Sequence, residues 1–252
     1  MVRQGLLGVK VIPGSHFQVL MLSKRTAGLN PIVAFVAPFV LYVLPTMAES
    51  TGWSVISYEF ICTMKGVLAA IALWTFRRRY PAFSTHGFWL AVTAGILGCV
   101  AWVVLERFQS AFPVIEQWMS FLIGGKRIGF DPFSDGGPSL GQLAFTIVRL
   151  SELVIIVPLA EELFWRGFLA RYLIADDFES VPQGTFTRFS FAVVTLAFVS
   201  VHPELLAAFV WGILINLLYL RTANLWACIV MHSVTNGLLG GYILATKSWH
   251  LW

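Results

Sequence analysis

Residues 141–175 read GQLAFTIVRLSELVIIVPLAEELFWRGFLARYLIA, and this stretch decides the fold. It is mostly apolar, yet a single helix of that length would run to about 50 Å at 1.5 Å per residue, far beyond a hydrocarbon core of about 30 Å. Pro158 lacks a backbone donor and marks where one long tilted helix would bend, or where two shorter ones would meet. Both options predict helix in a membrane. Into this apolar run the chain places Glu161, Glu162 and Arg166, which lipid does not tolerate without cause.

The composition agrees with that reading. The chain has 252 residues, 58% of them hydrophobic and 12% charged, with a mean hydropathy of +0.77. A soluble domain carries about 25% charged residues, and a soluble monomer this apolar would expose large sticky patches. A soluble enzyme, a nucleic-acid-binding domain and a disordered chain are therefore disfavoured. The three cysteines, Cys62, Cys99 and Cys228, lie singly in apolar stretches and predict small core residues rather than a disulfide or a zinc knuckle.

Working outward, six more apolar stretches are long enough for helical spans. They are 31–48 (with Pro38 and Pro45 as kinks), 53–76, 86–108, 186–201, 204–220 and 222–245. With 141–175 these give seven spans, or eight if Pro158 divides the fourth. The expected fold is all-α: a polytopic membrane bundle of about seven or eight transmembrane helices. Residues 1–30 read as a basic, partly amphipathic cytoplasmic arm without a signal cleavage site. Residues 31–252 read as the bundle, and 113–123 as an interfacial helix within a Gly- and Pro-rich connection. Seven spans with an inside N-terminus put Arg77, Arg78, Arg79, Arg171, Arg188 and Arg221 on the inner side, with Arg3, Lys10, Lys24 and Arg25. Arg107, Lys126, Arg127 and Lys247 fall outside, so the bias favours an inside N-terminus.

Three polar groups stand out at membrane depth. Glu162 and Arg166 are four apart with the acid first, the favourable order for a helical ion pair. Glu161 points about 100° away, and its own neighbour one turn on is Trp165, an apolar wall. A carboxyl without a cation beside it is suited to general acid–base work. His202 closes one span at a His202-Pro203 turn. His232 and Asn236 share one helical stripe and must meet polar partners on other helices. A carboxylate and a histidine can take a proton from water, and a second histidine with an amide can donate to an oxyanion. No Gly-x-Ser-x-Gly or His-Glu-x-x-His motif is present. A zinc reading with Glu161, His202 and His232 as ligands stays open at this point, as does a non-catalytic scaffold or immunity protein.

Glu161-Glu162-x-x-x-Arg166, Phe198-x-x-x-His202 and His232-x-x-x-Asn236 resemble, in order, the three motifs of the CAAX protease and bacteriocin-processing family. The likeness covers about residues 141–245, including the stretch from Tyr219 to Trp226. It implies an intramembrane endopeptidase, related to the ras-converting prenyl protease, with a recessed active site and no cofactor. Glu161 and His202 would activate water. His232 and Asn236 would form the oxyanion hole, and Glu162 with Arg166 would hold the site together. The implied partners are a membrane-associated protein or peptide substrate, lipidated or not, and membrane lipid, with no nucleic acid. The implied location is a bacterial inner membrane. The depth of His202 poses a difficulty: in simple spans Glu161 lies in the inner half and His202 at the outer end. They meet only if the His202 turn is sunk in the membrane or the fourth span is broken.

Among the other polar residues, Arg149 and Glu152 are expected to pair, and Glu59 and Lys65 to cap a cavity or snorkel. Gly237, Gly240 and Gly241 are expected to allow close packing within the bundle. The ten tryptophans are expected at the interfaces and against lipid.

Overall fold

In the computed structural model, which describes residues 30–49, 57–112, 129–134 and 138–252, the described residues form an all-α membrane bundle. The basic arm, the start of the second expected span and the 113–123 helix fall outside the described residues. The seven helices are α1 (Pro31–Glu49), α2 (Tyr58–Phe76), α3 (Phe88–Ala111), α4 (Leu140–Tyr172), α5 (Arg188–Ser200), α6 (Leu205–Thr222) and α7 (Leu225–Thr246). Each falls on one expected span. On length and composition, the stretches carrying α2, α3, α4, α6 and α7 can cross a membrane, whereas α1 and α5 are shorter apolar helices. Large apolar side chains such as Ile71, Trp74, Trp89 and Leu97 are exposed along α2 and α3. Lipid is the solvent that such faces suit.

Loops at the two ends interlock, which fixes the alternation of the helices. At one end Asn224 Nδ2 donates to the carbonyls of Ser84 and His86, at 3.3 and 2.7 Å. Trp226 Nε1 donates to Pro81 O (3.1 Å), Gln183 accepts from Leu225 N (2.9 Å), and Tyr80 Oη donates to Ala34 O (2.9 Å). This end carries Arg77, Arg78, Arg79, Arg171, Arg188 and Arg221. At the other end, Arg107 donates to Tyr242 Oη (2.6 Å), and Glu106 accepts from Ser110 (3.0 Å) and meets His250 (3.1 Å).

Pro158 does not divide the fourth helix. Instead α4 contains two π-helical segments, Glu152–Ile156 and Leu163–Leu169, on either side of the turn that holds Glu161 and Glu162. Such widened turns recur at functional sites. Val157 N donates to Glu152 O rather than to Leu153 O. The next candidate donor for Leu153 O would be residue 158, a proline without an N–H. The Leu153 carbonyl is thereby released from the helix.

Glycines let α3 approach α7 and α6 closely. A Cβ on Gly95 would sit 2.7 Å from Met231 O, and one on Gly98 would sit 2.9 Å from the Trp211 indole. On α7, a Cβ on Gly240 would meet Leu150 at 2.7 Å and one on Gly237 would meet Val154 at 3.6 Å, so these two pack against α4, whereas Gly241 is exposed and has nothing within 4 Å. The cysteines are buried and free. Two expectations are corrected. Lys65 does not snorkel: it is fully buried and donates to Thr46 Oγ1 (2.9 Å). The tryptophans divide: Trp74 and Trp89 face outward, whereas Trp102, Trp165, Trp211 and Trp252 are buried. The first three of these line one interior region.

Candidate active site

Glu161 and Glu162 are adjacent, yet the fold gives them different surroundings. Glu162 is fully buried and accepts from Arg166 Nη1 at both carboxylate oxygens, 3.2 and 3.1 Å. The same carboxylate meets His232 Nδ1 at 2.9 Å. Glu161 is also buried. Its hydrogen bond comes from Trp165 Nε1 at 3.4 Å, at the long limit for such a bond. Trp165 is therefore a weak donor as well as a wall. Glu161 lies within electrostatic reach of His232, Glu162 and Arg166.

Asn236, one turn beyond His232 on α7, donates through Nδ2 to Leu153 O at 2.9 Å. This is the carbonyl released by the first π segment, so Pro158 creates the acceptor that Asn236 fills. The second π segment brings another inter-helix bond to α4. Ala170 N bonds Trp165 O, and Tyr219 Oη donates to Arg166 O at 3.1 Å. His232 and Asn236 thus both face α4, as their shared stripe requires.

His202 lies just past the end of α5. Its Nδ1 bonds Phe198 O at 2.8 Å, and its ring packs 4.3 Å from Phe198 and 5.7 Å from Trp102. Phe198 is the hub of the region: Trp211 lies at 5.2 Å, Trp165 at 6.0 Å and the Arg166 guanidinium at 5.5 Å from its ring. Trp211 reaches His232 at 4.8 Å. The three motifs therefore converge on one aromatic cluster, with Glu162, Arg166 and His232 in direct contact and His202 joined through Phe198 and Trp211.

Helix lengths bear on the depth of His202. With 13 residues, α5 is about 20 Å long, some 10 Å less than the hydrocarbon core. An α5 that starts at the basic face therefore ends short of the other. Gln109 fastens the turn there, donating to Pro203 O and accepting from Leu206 N, both at 3.2 Å. Counted along α7 and α5 from the basic end, His232 lies at a depth of about 10 Å, Asn236 at about 16 Å and His202 at about 20 Å.

The hydrogen bonds also fix histidine tautomers. A carbonyl only accepts, so His202 Nδ1 carries a proton and its Nε2 is the basic nitrogen of the neutral ring. Glu162, as a carboxylate, likewise requires the proton on His232 Nδ1. A neutral His232 is then an acceptor at Nε2 and donates there only as the imidazolium. Among the described residues no three His, Cys, Asp or Glu side chains are grouped as metal ligands. Glu161, His202 and His232 thus do not assemble into the zinc set left open above.

The motifs do not include Asn216. It is fully buried on α6, accepts from Arg166 Nε (3.0 Å) and donates to Thr195 Oγ1 (2.9 Å). An amide inside the apolar run 205–222 is the signal that finds it, by the same test that singles out Asn236.

Residues 143–238 match the family model of type II CAAX prenyl endopeptidases, Rce1-like. No curated protein and no solved structure matches the chain. The matched segment runs from the start of α4 to Leu238 on α7 and contains all three motifs.

Proposed function

We propose that the chain is an intramembrane endopeptidase that cuts a peptide bond of a membrane-associated protein with water activated by Glu161 and His202. The observation that carries this reading is the division of labour between adjacent carboxylates. Glu162 is saturated by Arg166 and His232, whereas Glu161 has one long bond from an indole. A weakly held carboxylate can take a proton from water. His202 Nε2, basic in the neutral ring, is the second acceptor for that water. The water oxygen bonds to the carbonyl carbon, the C–N bond breaks, and the proton passes to the leaving amine. Asn236 keeps one amide N–H after serving Leu153 O, and His232 as imidazolium adds a second donor to the oxyanion.

The substrate is a protein or peptide reaching the bundle from lipid, prenylated or not, and no cofactor or nucleic acid enters the scheme. Among the described residues the basic end, with six arginines against Arg107 and Lys247 at the other, supports a cytoplasmic N-terminus in a bacterial inner membrane. The test compares the proteomes of membranes holding the wild type and Glu161→Ala. A precursor that accumulates with the variant and is trimmed with the wild type supports the reading; identical proteomes contradict it.

A further inference from the structure

Asn216 stands at the head of a chain of hydrogen bonds in which every donor and acceptor is forced. Thr195 Oγ1 gives its one proton to Phe191 O (2.8 Å). It can only accept from Asn216, so Nδ2 faces it at 2.9 Å. The amide oxygen is thereby turned toward Arg166, which can only donate, and receives Nε at 3.0 Å. With Nε fixed, the plane of the guanidinium is fixed. Nη1 then meets both Glu162 oxygens at 3.1–3.2 Å, and Glu162 Oε1 meets His232 Nδ1 at 2.9 Å. The chain crosses α5, α6, α4 and α7. Thr195, Asn216, Arg166, Glu162 and His232 are all buried.

Besides Glu162 and the Phe198 ring, Asn216 is the side chain that holds Arg166. Its Nη2 is buried and has no hydrogen-bond partner among the described residues. Without Asn216, Nε would be orphaned as well. A buried guanidinium with two empty donors turns to find acceptors, and Glu162 turns with it.

We infer that Asn216 and Thr195 are positioning residues: they set the plane of Arg166, and through it the Glu162 carboxylate that holds His232 in its Nδ1–H form. The consequence for rate rests on the proposed hydrolysis; the geometry does not. Neither residue touches the reacting atoms, and neither lies in the three motifs.

The test uses the purified full-length protein in nanodiscs, labelled with 15N-histidine, the His232 signals being those lost in His232→Gln. The variants are Asn216→Ala, Thr195→Val and Thr195→Ser. Thr195→Val keeps the side-chain shape if Asn216→Ala folds poorly. Read at a pH where the His232 ring is neutral, the wild type is expected to show the Nδ1–H tautomer, and Asn216→Ala and Thr195→Val a mixture of tautomers. Against a precursor peptide, both should lose about 10–100-fold in kcat with KM unchanged, the range for removing a group that orients a metal-bound histidine. Thr195→Ser, which restores the acceptor, should recover both readouts. Unchanged His232 signals in Asn216→Ala and Thr195→Val overturn the inference whatever the rate does. Moved signals with an unchanged kcat overturn it too. If the wild type cleaves nothing, the proposed hydrolysis fails while the tautomer still decides the geometry.

Discussion

Glu162→Gln tests whether this carboxylate is a strut rather than the base. Glutamine keeps the shape but loses the charge. Its one oxygen can serve Arg166 or His232, and its NH2 faces whichever donor is left. Glu162 and Arg166 are at 0% exposure and His232 at 4%, so water cannot make up the loss. Breaking a buried ion pair by removing one partner costs about 3–5 kcal/mol. For a domain of this size that corresponds to a fall in Tm of about 6–20 °C. The neighbouring Glu161→Gln is the control. Its amide oxygen can still accept from the Trp165 indole, whose bond is long at 3.4 Å, so the loss should stay within about 1 kcal/mol. Both variants are melted in the same detergent, with a fluorescence readout and a check by size-exclusion profile. Equal Tm values for the two variants would refute the division between the carboxylates.

Two further predictions concern chemistry beside the strut. Hydrolysis should survive exhaustive chelation, because Glu161, His202 and His232 are not grouped as a metal site among the described residues; loss on chelation, restored by stoichiometric zinc bound to the purified protein, would decide for a metallopeptidase. Asn236→Ala should do two things at once. Freeing Leu153 O costs about 0.6–1.7 kcal/mol, the range for hydrogen bonds between membrane helices, and losing an oxyanion donor lowers kcat by about 10²–10³. A melting loss of that size with turnover equal to that of Leu239→Ala would leave Asn236 as a clamp alone.

Hydropathy sufficed for the seven helices because lipid forces every spanning backbone to satisfy itself within a helix. The i,i+4 pairing of Glu162 with Arg166 was legible because helix geometry alone brings those side chains together. What the sequence could not show depends on contacts between helices. Whether His232 meets Glu161 or Glu162 turns on the rotation of α4, which the two π segments change. Pro158 predicted a bend, but its actual effect, an orphaned Leu153 carbonyl filled by Asn236, needs α7 beside it. Trp211 was expected with the other tryptophans at the interfaces or against lipid, yet Trp102, Phe198 and His232 from three other segments enclose it. The sunken His202 turn follows from the short α5, whose end at Ser200 an apolar run does not mark sharply. Asn216 was within reach of the sequence, as a lone amide in an apolar helix, but its partners Thr195 and Arg166 come from two other helices.

The central claim is that Glu161 activates water while Glu162 does not. Single-turnover cleavage of a precursor peptide by purified Glu161→Gln in nanodiscs, beside the wild type at equal folded concentration, tests it most directly. The account predicts a variant with the wild-type Tm, unimpaired peptide binding and no detectable cleavage. Cleavage by Glu161→Gln at the wild-type rate would contradict it.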